Sequence, residues 1–256
     1  MPCVLQLTDL HLMTDPAGTL KDICTRDEVA RVFAYVRDGI QSGRWSFDQI
    51  VVTGDLAHDE QRETYNIVRD MLGDWLPKCK LLLGNHDSRP FIREAFPELA
   101  PGEPDFFTFT CRVGDWHLIG LDSHIPGQVE GALGERQLQW LGEELRSHAE
   151  RPTVLFVHHP PFAVGSAWVD ALGLRDAESL LKVAAGAPQV KAICAGHVHQ
   201  QCDRRMGNLQ LLTTPSVVLQ FGVNSPEFSI DFIPPGFRVL YLEDDGFRSE
   251  VIRLPE

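Results

Sequence analysis

Short apolar runs broken by polar, glycine-bearing segments recur along the chain at residues 3–8, 49–53, 80–83, 106–113, 116–121, 153–157, 190–194, 209–213, 237–242 and 249–254. Each has the length of a strand. Helical periods fall between several of them. Residues 26–41 place Val29, Val32, Phe33, Val36 and Ile40 on one face, and Thr25 with Glu28 reads as a capping box at its start. Further helices are expected near 60–73, near 135–148, where Leu138, Leu141 and Leu145 share a face, and near 176–185, which carries Leu180, Leu181 and Ala184. The first half therefore reads βαβαβ, an α/β class whose parallel strands carry helices packed against them. Two hairpin-like pairs add antiparallel strands: 106–113 with 116–121, and 237–242 with 249–254 across Asp244-Asp245-Gly246. The long loops fall at 10–24, 96–105, 160–175 and 216–236, and none resembles a linker, so one domain over residues 1–256 is expected.

Composition narrows the partners. A chain of 256 residues can bury roughly 70–75% of its unfolded surface, so no disulfide or structural metal is needed to hold it. Lys and Arg total 23 against 36 Asp and Glu, a net charge of -13, which disfavours a nucleic acid polymer. A small phosphate ester is not disfavoured, because a bound metal pair reverses the local field. No apolar run approaches the ~20 residues of a membrane span. The six cysteines lack CxxC spacing, and a strand-like segment begins almost at Met1, leaving no room for a signal peptide. Reduced thiols and a cytoplasmic location are the expectation.

The residues that follow the strands carry the chemistry. Asp9-Leu10-His11 follows the first run, Gly54-Asp55 the second, Gly84-Asn85-His86-Asp87 the third, His158-His159-Pro160-Pro161 the run at 153–157, and Gly196-His197-Val198-His199 the run at 190–194. Ligands bind at the carboxyl ends of strands in open α/β sheets, so five strands deliver Asp, Asn and His to one rim. In extended segments residues i and i+2 point the same way, which lets Asp9 with His11, and His197 with His199, present paired donors. Carboxylate, imidazole and amide oxygen suit Mn, Fe, Co or Zn, and the lack of motif cysteines argues against a closed thiolate zinc site. Seven such donors exceed the need of one ion. Two ions about 3.5–4 Å apart, sharing a carboxylate, would use them. Gly54, Gly84 and Gly196 are expected to permit tight turns beside the cluster.

This ordered set resembles the signature of the calcineurin-like metallophosphoesterases. The resemblance implies a four-layer α/β/β/α sandwich with two mixed sheets and a dinuclear site of two divalent or mixed-valence metal ions (Mn, Fe, Co or Zn). Position by position it makes Asp9, His11, Asp55 and His199 ligands of one metal, and Asp55, Asn85, His158 and His197 ligands of the other, with Asp55 bridging. It makes His86 the imidazole that contacts phosphate and protonates the leaving oxygen, oriented by Asp87. The similarity to bacterial class III cyclic nucleotide phosphodiesterases, which hydrolyse 3',5'-cyclic AMP, runs almost end to end. It includes Trp168-Val169-Asp170, Leu174-Arg175-Asp176-Ala177-Glu178, Gly196-His197-Val198-His199-Gln200, Thr214-Pro215-Ser216, Gln220-Phe221, Pro235-Gly236-Phe237-Arg238 and Asp245-Gly246. The stretch 222–230 departs from the pattern.

The expected substrate is thus a small phosphodiester, met by Asn85, His86 and His199 and by Trp168 and Phe221, whose rings would either stack on a purine or fill the core. The same metal site serves glycerophosphodiesters, 2',3'-cyclic nucleotides and phosphomonoesters, so those substrates stay open. A non-catalytic scaffold is disfavoured by the intact donor set. His58 and His124 lie near the rim as candidate substrate contacts, His159 as a support for its neighbours, and His117 and His148 as ordinary core or surface residues. A homo-oligomer remains open, since no segment selects an assembly.

Overall fold

A computed structural model describes residues 1–100, 105–243 and 246–255. Residues 101–104 of the loop expected at 96–105, and Asp244 and Asp245 of the expected hairpin turn, lie outside the described residues. The chain begins with β1 (Cys3–Leu7), a short hairpin of β2 (Thr19–Leu20) and β3 (Ile23–Cys24), and α1 (Thr25–Gln41). It continues with β4 (Gln49–Thr53), α2 (Arg62–Leu72), a 3-10 turn (Gly73–Lys78), β5 (Cys79–Leu82) and α3 (Arg89–Ala95). Next come β6 (Phe109–Val113), β7 (Trp116–Leu121), α4 (Gly134–Ser147), β8 (Thr153–Val157), α5 (Ala167–Asp170), α6 (Ala177–Ala185) and β9 (Val190–Ala195). The last part holds β10 (Cys202–Met206), β11 (Leu209–Thr213), the paired fragments β12 (Gln220–Phe221) and β13 (Ile230–Asp231), and the hairpin β14 (Gly236–Glu243) and β15 (Gly246–Arg253).

Two mixed sheets result, ordered β15-β14-β1-β4-β5 and β10-β11-β9-β8-β7-β6. The expected parallel core is present, β1 pairing with β4 and β4 with β5, and both predicted hairpins pair antiparallel. Alternation along β1 shows how the layers form. Cys3, Leu5 and Leu7 face Val32 and Phe33 of α1 and Tyr65 and Val68 of α2, whereas Val4 turns to the opposite sheet. Between the sheets Val4, Val51, Leu82 and Leu240 meet Leu118, Val154, Phe156 and Cys194. The outer face of the second sheet packs on Leu141 and Leu145 of α4 and Leu180 and Ala184 of α6. The order α/β/β/α is the expected sandwich. Among the described residues no helix is long and apolar enough to cross a membrane, and all six cysteines are free.

One polar seam crosses the apolar interface. Gln6 Nε2 donates to Thr53 Oγ1 (3.0 Å), Thr214 Oγ1 donates to Gln6 Oε1 (2.7 Å), and Arg238 Nε donates to Thr214 Oγ1 (3.2 Å). The Arg238 side chain is fully buried and also donates to the Thr213 carbonyl (2.8 Å), Ser249 Oγ and Asp203 Oδ1 (2.5 Å). Arg238→Met is expected to cost about 2–3 kcal/mol, because several acceptors lose their donor. The larger penalty of a broken buried ion pair is not expected, since the Asp203 side chain is 45% exposed and returns to water. Urea unfolding measures this, and an unchanged midpoint would contradict the role given to the seam.

Two local expectations are corrected. Thr25 is the first residue of α1 instead of its cap, and the capping position, Cys24, makes no side-chain bond to the helix. The strand expected from 106 begins at Phe109, because the Phe107 N–H is taken by Asp122 Oδ2 (2.7 Å) and the Phe106 carbonyl by Arg93 (2.6 Å). The strand β10 was not foreseen.

Candidate metal centre

The ends of β1, β4, β5, β8 and β9 do converge. Asp9, His11, Asp55, His158, His197 and His199 are all buried, while Asn85 and His86 are half-buried at the edge of the cluster. The backbone at the paired donors is not extended. Asp9 (φ 56°), His11 (44°), Asp55 (51°), His197 (67°) and His199 (47°) all occupy the left-handed region, so tight turns, and not strand alternation, aim both donors of each pair inward. Such residues cost on the order of 1–3 kcal/mol each and persist only where surrounding contacts fix them. Those contacts are present: Asp9 N–H donates to the Gly54 carbonyl (3.0 Å), His11 N–H to the Asp55 carbonyl (2.9 Å), and His197 N–H to Asp9 Oδ2 (3.1 Å). Gly54 has φ 98° as expected of a turn glycine, but Gly84 is required for space, since a Cβ there would lie 2.1 Å from Asp55 Oδ1.

Asp55 stands at the middle. Its Oδ2 lies 3.5 Å from His11 Nε2 and 3.5 Å from His158 Nε2, and its Oδ1 accepts the His86 backbone N–H (2.9 Å). On one side His11 Nε2 is 3.0 Å from His199 Nε2, which is 3.4 Å from Asp9 Oδ1. On the other, Asn85 Oδ1 is 3.3 Å from His158 Nε2 and 3.0 Å from His197 Nδ1. Metal–nitrogen bonds of about 2.0–2.1 Å place neighbouring donors about 2.9–3.4 Å apart, so these spacings suit shared cations. Ring orientation suits them too. His158 Nδ1 faces the Thr53 carbonyl (2.7 Å) and His199 Nδ1 the Leu219 carbonyl (3.0 Å), contacts that leave each Nε2 lone pair free. The buried Nε2 of His197 has no hydrogen-bond partner.

Charge follows the same logic. Burial, together with the neighbouring imidazoles, holds His11 well below its ordinary range and His197 down at about 3, so both rings are neutral near pH 7. The His199 side chain holds Asp9 low against its burial, and His158 does the same more strongly for Asp55. Although burial opposes it, the Asp55 carboxylate lifts His158 to about 9, marking the point where a cation competes with a proton.

His86 lies beside the cluster, stacked on His58 with ring centroids 4.6 Å apart and edge-on to His11 at 5.1 Å. Asp87 does not orient it. The Asp87 carboxylate accepts the N–H groups of Leu56 (3.1 Å), Ala57 (3.1 Å) and Gly84 (2.8 Å) and the Tyr65 hydroxyl (3.2 Å), pinning two loops together. His58 Nδ1 faces His11 Nδ1 at 3.2 Å, while His124 is turned to the Gly84 carbonyl (2.9 Å). Both nitrogens of His159 are taken, by Ser123 Oγ (2.8 Å) and the Val129 carbonyl (2.9 Å).

A hollow of about 170 Å³ opens over these rings, bordered by Trp168, Phe221 and residues absent from the sequence expectation, Leu20, Lys21 and Phe228. Phe221 stacks flat on His199 with centroids 4.1 Å apart, and Trp168 meets it edge-on at 5.0 Å. Phe228 completes the trio, 5.2 Å from Trp168. A larger hollow of about 770 Å³ lies between α4 and α6 on the outer layer, beside Leu138 and Val183 and away from this cluster. Nothing in apolar periodicity marks Lys21 or Phe228, which sit in the expected loops 10–24 and 216–236, the second within the stretch 222–230 that departs from the pattern.

The chain is 35% identical over 99% of its length, and 90% of the relative's, to the 3',5'-cyclic adenosine monophosphate phosphodiesterase CpdA of Escherichia coli. It is 32% identical over 98% of its length, and 92% of the relative's, to the 3',5'-cyclic-nucleotide phosphodiesterase alr5338 of Nostoc. A dimetal phosphatase from Danio rerio shares the fold, with a TM-score of 0.71 at 15% identity over 98% of both chains. The profile of the calcineurin-like phosphoesterases matches residues 4–201, which span every strand end described above, and the chain belongs to that family.

Proposed function

We propose that the chain hydrolyses a 3',5'-cyclic nucleotide, cyclic AMP foremost, to the nucleoside monophosphate. The observation that carries the reading is Asp55, one carboxylate 3.5 Å from an imidazole on each side. In this reading Asp9, His11, Asp55 and His199 hold one cation, and Asp55, Asn85, His158 and His197 hold a second. When bound, such a pair supplies Lewis acidity at the phosphoryl oxygens and lowers the pKa of water toward neutrality. The protein's own groups do the rest. Asn85 and His199, at the edge of the hollow, position the phosphate, and His86 donates a proton to the ester oxygen as the P–O bond of the ring breaks. Trp168 and Phe221 wall the space where a base lies, and stacking on such rings contributes about 1–3 kcal/mol per base. The relatives named above support a cyclic nucleotide as substrate, and the polar seam between the sheets supports reading residues 1–256 as one domain.

The test compares kcat/KM of the Mn²⁺-loaded chain for 3',5'-cyclic AMP, a 2',3'-cyclic nucleotide, a glycerophosphodiester and a bis-aryl phosphate. Comparable or better efficiency on cyclic AMP, despite its poorer leaving group, supports the reading. Turnover of the aryl diester alone would leave a phosphoesterase with a different substrate. His86→Gln is expected to lower kcat on cyclic AMP by about 10²–10⁴-fold, the usual contribution of a positioned acid. The loss should shrink on an aryl ester, whose leaving oxygen needs no proton. Equal losses on both esters would remove His86 from the acid role.

A further inference from the structure

A second group of donors lies at the other end of the second sheet. His117 is at the start of β7, whereas the central cluster follows the C-terminal ends of its parallel neighbours, β8 and β9. Four strand steps at about 3.3 Å each put His117 some 13 Å from the C-terminal end of β7 at Leu121. Here α4 ends: Glu144 lies in its last turn and His148 is its C-terminal cap. The spacing i, i+4 brings Glu144 and His148 to one helix face, opposite His117. His117 Nε2 is 3.2 Å from Glu144 Oε1, and His148 Nδ1 is 3.4 Å from that same oxygen. The two imidazole rings approach to 4.5 Å between centroids. One donor atom from each residue lies within 4.8 Å of the others.

We propose that His117, Glu144 and His148 form a separate site for a single borderline divalent transition ion such as zinc. The 3.2 and 3.4 Å spacings match the distance between neighbouring donors around such an ion. Two imidazoles and one carboxylate favour zinc, cobalt or nickel over magnesium or calcium. Burial, with His148 and Arg151 beside it, pushes His117 down to about 4, so its ring is neutral and its lone pair available near pH 7. Its Nδ1 is buried without a hydrogen-bond partner, so the ring is not locked into a network of its own. The Glu144 side chain is 21% exposed and that of His148 37%, which gives the ion a path from solvent and leaves room for water as a fourth ligand. His148 Nδ1 donates to the Glu144 carbonyl (3.1 Å) in the free chain, and binding through that nitrogen breaks this bond and moves the ring proton to Nε2. The ion would fasten the last turn of α4 to β7 and take no part in hydrolysis.

The experiment counts zinc on the full chain after equilibrium dialysis, in wild type and in His148→Ala, and again with both carrying Asp55→Asn. One more zinc per chain is expected with His148 than without it, in both backgrounds. The Asp55→Asn background makes failure of this inference distinguishable from failure of the central reading. Zinc, but not magnesium, should raise the melting midpoint of Asp55→Asn by more than that of Asp55→Asn/His148→Ala. Glu144→Gln, a change at the rim, should weaken zinc binding at least tenfold without unfolding the chain. Hydrolytic activity of His148→Ala should equal that of wild type. Equal zinc counts and equal midpoint shifts with and without His148 would overturn the site.

Discussion

Replacing Asp55 with asparagine is expected to abolish turnover while leaving the chain folded. Asparagine keeps the shape, retains an oxygen for the His86 N–H (2.9 Å), and tolerates the φ of 51° held at this position. It removes the one charge that both imidazole groups share, since Oδ2 is 3.5 Å from His11 Nε2 and from His158 Nε2. Losing an outer partner of a metal ligand costs about 10–100-fold. Losing the shared ligand itself should exceed that range and lower the metal bound per chain. Elemental analysis beside kcat/KM makes the measurement, and full activity with an unchanged metal count would sink the assignment of Asp55.

Asp87→Ala is the change expected to cost most stability. This carboxylate is buried, and burial followed by the nearby charge of Asp55 pushes its pKa up to about 7. Three backbone N–H groups and the Tyr65 hydroxyl point at it. Alanine leaves those donors unpaired in the interior, at about 1–3 kcal/mol for each that finds no water, and about 3–5 kcal/mol in all. At about 2–4 °C per kcal/mol for a chain of this size, the melting midpoint should drop on the order of 10 °C. Asp87→Asn should lose less, because one oxygen still serves Leu56, Ala57 and Tyr65. An alanine variant melting with wild type would show that the Leu56–Ala57 and Gly84 loops hold each other by other means.

Asp87 also marks where reading the sequence stopped. Its presence beside the cluster was legible, but two of its partners are the main-chain N–H groups of Leu56 and Ala57 some thirty residues away, and no side-chain pattern announces those. The main strands and helices were legible because both sheets are packed on apolar neighbours, so burial writes itself into runs such as 3–8 and 153–157. The strand β10 was not, because Cys202–Met206 is a solvent-facing edge whose residues Asp203, Arg204 and Arg205 carry no apolar period. The donors themselves were legible from their order along the chain. Their backbone was not: alternation placed Asp9 and His11 on one side correctly, but for the wrong geometric reason. His117 and His148 read as ordinary core and surface residues, and the structure does place one in a strand and the other at the end of a helix; what the sequence does not show is that the two rings meet, more than thirty residues apart.

The left-handed turns bias which amino acids fit at positions 9, 11, 55, 197 and 199. Apart from glycine, aspartate, asparagine and histidine are the residues most enriched at positive φ, and they are also good oxygen and nitrogen ligands. Glutamate and cysteine offer comparable donors but are not enriched there, although the chain does hold Glu60 at a φ of 51°. The alphabet open to drift or to redesign is therefore set by the backbone before coordination chemistry has a say. In the proposed centre a change of metal preference would come most easily from exchanges among Asp, Asn and His, or from residues such as Asn85 and His158, which are not among the positive-φ positions.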